Sequence, residues 1–248
     1  YSDEEALNFH SRGKPGKLEV TPTKPMSTQR DLSLAYSPGV AAPVRAIAED
    51  PDKAYDYTAK GNMVAVISNG TAILGMGDLG ALASKPVMEG KCVLFKRFAD
   101  IDSIDLEVDT KDPEAFINAV KYLGPAFGGI NLEDIAAPES FMIEQRLKEE
   151  MDIPVFHDDQ HGTAIIAAAG LLNALDITGK SIKDVKVAVS GAGSSALSVI
   201  GLIKAMGLPH ENALVCDSKG VLTKGRQLDQ WRSAHAVETD KKSLAEAM

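Results

Sequence analysis

Apolar and polar positions divide the chain into an irregular N-terminal stretch, a middle of alternating short strands and helices, and a last third in which an apolar helix leads into strand, Gly loop, helix and strand. A short helix is predicted near Asp3 to Ser11. It gives way to an extended arm around Lys14-Pro-Gly-Lys and Thr21-Pro-Thr-Lys-Pro, the kind of segment that embraces a second subunit. Met63-Val-Ala-Val-Ile-Ser and Thr71-Ala-Ile-Leu are β-prone runs joined by Asn69-Gly70, a dipeptide that takes positive φ readily. They predict a hairpin with a type I′ turn. Val93-Leu-Phe predicts another strand, and a helix follows between Asp112-Pro113 and Gly124-Pro125. Gly129-Ile-Asn-Leu reads as a strand ending in acids. A helix from Phe141 to Glu150 comes next, then the strand Ile153-Pro-Val-Phe, which again ends in acids.

From Gly162 to Leu175 apolar residues crowd most of a helix circumference, which predicts a buried helix between two domains. Val185-Lys-Val-Ala-Val-Ser has the continuous apolar character of a parallel strand covered on both faces. It feeds Gly191-Ala-Gly-Ser-Ser-Ala196, a helix over Leu197–Met206 and the strand Ala213–Asp217. The class implied is α/β, with one domain over residues 1–162 and a Rossmann-like parallel-sheet domain beginning at 163.

Composition narrows the partners. Among 248 residues, 35 acidic side chains against 26 basic ones give a net charge of -9, which disfavours nucleic acid and anionic lipid as partners. The longest apolar stretch, Ala164 to Leu175, falls short of the roughly 18 to 20 residues of a spanning helix. Cys92 and Cys216 stand far apart, each in an apolar run, which gives no basis for a disulfide framework or a cysteine zinc site. With no basic-then-apolar export signal after Tyr1, the chain reads as cytoplasmic and metabolic.

Two groups of residues carry candidate chemistry. The loop Gly191-Ala-Gly193-Ser194-Ser195-Ala196 follows an apolar strand, opens a helix and precedes Asp217 by about 20 residues, the context of a dinucleotide fingerprint. Gly191 permits the tight turn, Gly193 lets backbone N–H groups approach a pyrophosphate, and Ala196 allows close helix packing. Asp217 favours a free ribose 2′-hydroxyl and hence NAD, with NADP kept open by Lys219. The second group is two acidic pairs at predicted strand ends, Glu133-Asp134 and Asp158-Asp159. Converging carboxylates without a basic cluster suit Mg²⁺ or Mn²⁺. The same residues also suit helix N-caps, Asp159 for the helix opening at Gly162. His157-Asp-Asp-Gln-His161 has the spacing of a zinc-protease helix, but it lacks the glutamate and follows a predicted strand.

Five segments in order resemble the malic enzyme family: Leu34-Ala-Tyr36-Ser-Pro-Gly-Val-Ala, Gly75-Met-Gly-Asp-Leu-Gly80, Pro86-Val-Met-Glu-Gly-Lys91, Asn131-Leu-Glu133-Asp134, and Phe156-His-Asp158-Asp159-Gln-His-Gly-Thr-Ala. The form is similar to the compact bacterial branch. The resemblance implies a malic enzyme N-terminal domain over 1–162 and a partial NAD(P)-binding domain over 163–248. It implies oxidative decarboxylation of L-malate to pyruvate and CO₂ with Mg²⁺ or Mn²⁺ and a nicotinamide cofactor; a homodimer is the assembly expected from the N-terminal arm. Carried over residue by residue, it places metal ligands at Glu133, Asp134 and Asp159, the catalytic lysine at Lys91, the catalytic tyrosine at Tyr36, and an acid assisting the lysine at Asp158. Without it, Lys91 reads as a solvated strand-end lysine and Tyr36 as a half-buried aromatic. Thr71-Ala72 stands where the long eukaryotic-type enzymes carry an arginine, so malate's carboxylate is expected to be held differently. The chain is expected to be part of a longer polypeptide, since the family's malate- and nicotinamide-contacting asparagines lie beyond Met248. Malolactic conversion and a catalytically silent nucleotide-binding module are the other readings the residues admit.

Overall fold

The computed structural model describes residues 1–248. Helix α1 (Asp3–Ser11) is capped by Ser2, whose hydroxyl accepts the Glu5 N–H at 3.1 Å. The irregular arm after it is anchored where the Lys17 N–H donates to Glu89 at 2.9 Å and Leu18 packs beside Met88 and Cys92. Helix α2 (Gln29–Ala35) starts at a capping box between Thr28 and Asp31. Helices α3 (Ala41–Glu49) and α4 (Ala54–Tyr57) lead into the first sheet.

That sheet contains β1 (Met63–Ser68), β2 (Asp102–Glu107), β3 (Gly129–Leu132) and β4 (Val155–His157), interleaved with α5 (Ala81–Ala99), α6 (Pro113–Leu123) and α7 (Glu139–Glu150). Its strands are all parallel, in the order β2-β1-β3-β4. The two-residue strand period assigns the layers. Ala65 and Ile67 of β1 pack with Phe116, Ile117 and Val120 of α6 and Ile143 and Leu147 of α7, while Val66 packs with Met88 and Cys92 of α5 on the other face. Each fully buried large side chain here stabilises the fold by about 1.5–3 kcal/mol.

Three expectations fail in this half. The hairpin does not form, because both edges of β1 are taken by parallel neighbours and residues 71–80 are loop. Gly70 does take positive φ, at 67°, but its carbonyl accepts the Gly80 N–H and closes that loop instead of a turn. The strand expected at Val93-Leu-Phe is helix. Ala81, Ser84, Met88 and Cys92 recur at helical spacing and form the buried side of α5, so Lys91 lies on a helix and not at a strand end. Strand β2 was not predicted because its inward face carries Ser103, Asp105 and Glu107, while Ile104 and Leu106 pack on the opposite layer.

The second sheet contains β5 (Val187–Ser190), β6 (Ala213–Asp217) and β7 (Gly220–Val221), in that order, with β5 and β6 parallel. Helix α8 (Asp158–Thr178) precedes it and packs against α9 (Ser194–Ala205). The short helices α10 (Gln230–Ser233) and α11 (Leu244–Ala247) follow. Two expectations are corrected here. Strand β5 is not covered on both faces, since its residues alternate between half-buried and exposed. Helix α8 is not a buried helix: Ala164, Ala168 and Leu175 are covered, but Ile166 is 74% and Ile177 84% exposed. Its apolar residues surround it, yet α9 covers only one side. No helix is long and apolar enough to cross a membrane.

Candidate active site

Strands β3 and β4 lie side by side and in parallel, so their carboxyl ends deliver the two acidic pairs to one place. After β3, Asp134 takes φ 53°, a left-handed conformation that turns the chain sharply beside Glu133. After β4 the chain enters α8 at once, so Asp158 and Asp159 occupy its first turn and not a loop. The expected cap at Asp159 is supplied instead by His157, whose Nδ1 accepts the Gln160 N–H at 3.3 Å. Asp159 is thereby released from capping. Its Oδ2 accepts the Asp134 N–H at 2.9 Å.

Carboxylate oxygens of Glu133, Asp134 and Asp159 all lie within 4.8 Å of one another. Glu133 and Asp134 are buried, and Asp134 Oδ2 has no hydrogen-bond partner. Burial pushes the Glu133 carboxyl up to about 7, with Asp159 and Asp158 adding to the rise against Lys91 and Asn131. Burial and the Asp159 charge push Asp134 up to about 6. Three crowded acids with an orphaned buried oxygen have the chemistry of a hard-cation site, and the donor set is all oxygen.

Lys91 reaches this group from α5. Its Nζ lies 2.7 Å from Asp158 Oδ2 and 3.3 Å from Glu133 Oε2. Burial works to lower its pKa, but the Asp158 hydrogen bond and the Glu133 charge outweigh it and hold the ammonium above the usual lysine range. Gly162, one turn after Asp158, leaves room for that carboxylate: a Cβ at that position would overlap Asp158 Oδ1 and displace the side chain from Lys91. Glu144 Oε1 accepts the His157 N–H at 3.1 Å and lies 2.6 Å from His161 Nε2. The two histidines thus have separate tasks at the start of α8. Tyr36 is not gathered with these groups. It caps the C-terminus of α2, is 77% exposed and makes no side-chain hydrogen bond.

The Gly loop opens on the same cleft, a cavity of about 490 Å³ lined by Leu74, Glu133, Asp134, Asp159, Gly193–Ala196 and Arg232 among others. Gly191 has φ 112°, which a side chain would resist. Gly193 is the N-cap of α9 and offers no side-chain cap, and a Cβ there would meet open space. The first backbone N–H groups of α9 therefore face a cradle large enough for a phosphate. Asp217 ends β6 as expected, but its carboxylate is engaged: Oδ1 accepts the Lys219 N–H at 2.8 Å, and Oδ2 lies 2.6 Å from Arg226 Nη2. Burial alone would raise its pKa; Arg226 and the Lys219 N–H hold it below the usual carboxylate range. Sequence reasoning did not identify Arg226 or Arg232, which sit in an irregular polar stretch with no motif around them.

The family model for the malic enzyme N-terminal domain matches residues 15–148, and that for the malic enzyme NAD binding domain matches residues 160–247. An NADP-dependent malic enzyme from Rhizobium meliloti is 72% identical over 247 residues, covering 99% of this chain and 32% of that protein. An NAD-dependent malic enzyme from the same organism is 54% identical, with 99% and 32% covered. The crystal structure of an NAD-dependent malic enzyme from Thermotoga maritima superposes with a TM-score of 0.90 at 41% identity, covering all of this chain and 66% of that one. The chain spans about a third of the length of these curated relatives.

Proposed function

Because the chain belongs to the malic enzyme family, we propose that it forms the metal, substrate and nucleotide sites of an enzyme that oxidises and decarboxylates L-malate to pyruvate and CO₂. The observation that carries this reading is the convergence of Glu133, Asp134 and Asp159 within 4.8 Å, with Lys91 against them, in the neighbourhood of the Gly loop. We assign metal and substrate to residues 1–162 and the nucleotide to 163–248, the division falling inside α8. The polypeptide acts in the cytoplasm as a homodimer; exposed Leu32, Leu34 and Val44 on α2 and α3 supply apolar surface for a second subunit.

Glu133, Asp134 and Asp159 would hold a divalent cation. Bound there, Mg²⁺ or Mn²⁺ supplies Lewis-acid polarisation of the substrate's hydroxyl and carbonyl oxygens. Lys91 is the base nearest the carboxylates. Its ammonium is held by Asp158 and Glu133, and once Glu133 is engaged elsewhere only Asp158 keeps it charged. A cation at the carboxylates would favour loss of the ammonium proton to solvent through Asp158, and the neutral amine would then accept the substrate's hydroxyl proton, the nicotinamide supplying the hydride acceptor when bound. Asp158, fixed by the space at Gly162, orients the lysine throughout. Tyr36 is assigned the proton donation that converts enolpyruvate to pyruvate by family resemblance, a task suited to a phenol with a reference pKa of about 10; since it stands exposed and away from the carboxylates, this role requires the end of α2 to move over the cleft.

The cofactor assignment shifts from the NAD that Asp217 suggested toward NADP. Arg226 neutralises the Asp217 carboxylate and sets one cation at the end of β6, where a 2′-phosphate is read. The test is malate-dependent NADP reduction with pyruvate and CO₂ formed in equal amounts. Lactate as the product, or no reduction by the folded full-length protein, would refute the proposal.

A further inference from the structure

Arg232 is the one cationic side chain among the residues lining the cleft shared by the Gly loop and the carboxylates. It is placed by two contacts: its Nε donates to the Ala192 carbonyl inside the Gly loop at 3.2 Å, and its Nη1 lies 2.6 Å from Asp229 Oδ2. Asp229 also caps α10, accepting the Arg232 N–H at 2.9 Å, so the short helix and the guanidinium are fixed together. These contacts use Nε and Nη1. Nη2 makes no hydrogen bond in the protein, and the side chain remains 30% exposed.

We propose that Arg232 is a pyrophosphate-binding residue, a cation clamped to the Gly loop that holds the dinucleotide's phosphates opposite the N-terminus of α9. The inference rests on the nucleotide-binding reading above. Backbone N–H groups at α9 approach a phosphate from one side. A guanidinium tied to the carbonyl of Ala192, one residue before the N-cap Gly193, reaches it with a charge and the free N–H groups of Nη2. Its place is on the nucleotide side of the cleft. The Arg232 charge contributes to lowering Asp217, whereas the cation acting on Asp134 is Lys91. A guanidinium placed to hold malate would act on the carboxylate group first. Asp229 serves as a positioning residue, holding Nη1 and leaving Nη2 to the ligand.

Calorimetric titration of the full-length protein with NADP and with 2′-AMP, which lacks the 5′-phosphates, tests this. Arg232→Gln should weaken NADP roughly 10- to 100-fold, the effect of one charge-assisted contact, and leave 2′-AMP unchanged. Arg232→Lys should recover part of the loss by restoring the charge. An unchanged NADP affinity in Arg232→Gln would overturn the proposal. So would an equal loss of 2′-AMP, which would place the residue at the ribose phosphate. No recovery in a normally folded Arg232→Lys would reassign the effect to the lost Ala192 and Asp229 contacts. A wild-type protein that binds neither NADP nor NAD would instead refute the nucleotide-binding reading itself.

Discussion

Glutamine at position 107 should stabilise the protein above neutral pH and leave it unchanged in mild acid. Glu107 points from β2 toward α5, its side chain is 15% exposed, and its Oε1 is buried without a partner. Asp105 lies beside it on the same face. The cation between them, Lys85 of α5, sits 2.6 Å from Asp105 and 3.7 Å from Glu107, and Glu89 reaches the same ammonium at 3.8 Å. Burial, followed by the Asp105 hydrogen bond and charge, pushes Glu107 up to about 7 from an ordinary 4.5, and Cys92 nearby is pushed up to about 12 and stays neutral. A group raised in the folded state keeps a proton that the unfolded chain has already lost. Stability therefore falls as pH rises from about 4.5 to about 7 and stays lower above that. At about 1.36 kcal/mol per pH unit the full shift would be worth about 3 kcal/mol. Asp105 moves in the opposite direction and the two share one proton, so the net loss is about 1–2 kcal/mol. Glu107→Gln removes the titration while keeping the shape and a donor toward Asp105. Thermal unfolding at pH 5 should give equal midpoints, and at pH 8 the variant should melt a few degrees higher. A variant offset from the wild type by the same amount at both pH values would refute the reasoning.

Gly70→Ala should destabilise by more than about 2 kcal/mol, since φ is 67° and the new Cβ would overlap the Gly80 carbonyl; chemical denaturation checks it, and a neutral effect would be inconsistent with the described loop. Lys91→Ala should abolish malate oxidation with partial rescue by a small amine, whereas Tyr36→Phe should spare oxidation and slow enolpyruvate protonation; hydride transfer and ketonisation followed separately would separate the two roles. Arg226→Gln should weaken NADP at least about 10-fold and NAD far less, and equal losses for both would remove Arg226 from 2′-phosphate recognition.

What the sequence made legible follows from how local each signal was. The strand, Gly loop, helix and strand from Val187 to Asp217 are contiguous, and they appear in the structure where the pattern placed them. The β1 run was also visible, but its partners were not, because parallel pairing with β2 and β3 joins segments about 40 and 65 residues away. Asn69-Gly70 fits a hairpin locally, and tertiary pairing overrode it. Strand β2 hid its period by burying Asp105 and Glu107, and α5 hid its own by carrying β-prone Val93-Leu-Phe over its last turns. The acids were identifiable as pairs at strand ends, but the left-handed turn at Asp134 and the His157 cap that frees Asp159 are properties of the folded backbone. Arg226 and Arg232 act through carbonyls and acids brought near by folding, so no spacing announced them.

The central claim is that three carboxylates from two strand ends hold one divalent cation. Titrating Mn²⁺ into the metal-free protein, with free ion followed by its paramagnetic resonance signal, measures this directly. The wild type should bind one tight equivalent per chain. Glu133→Gln, Asp134→Asn and Asp159→Asn should each weaken that site at least about 10-fold while the fold is retained, and Lys91→Ala should not weaken it. Unchanged Mn²⁺ affinity in the Asp134 and Asp159 variants would contradict the account.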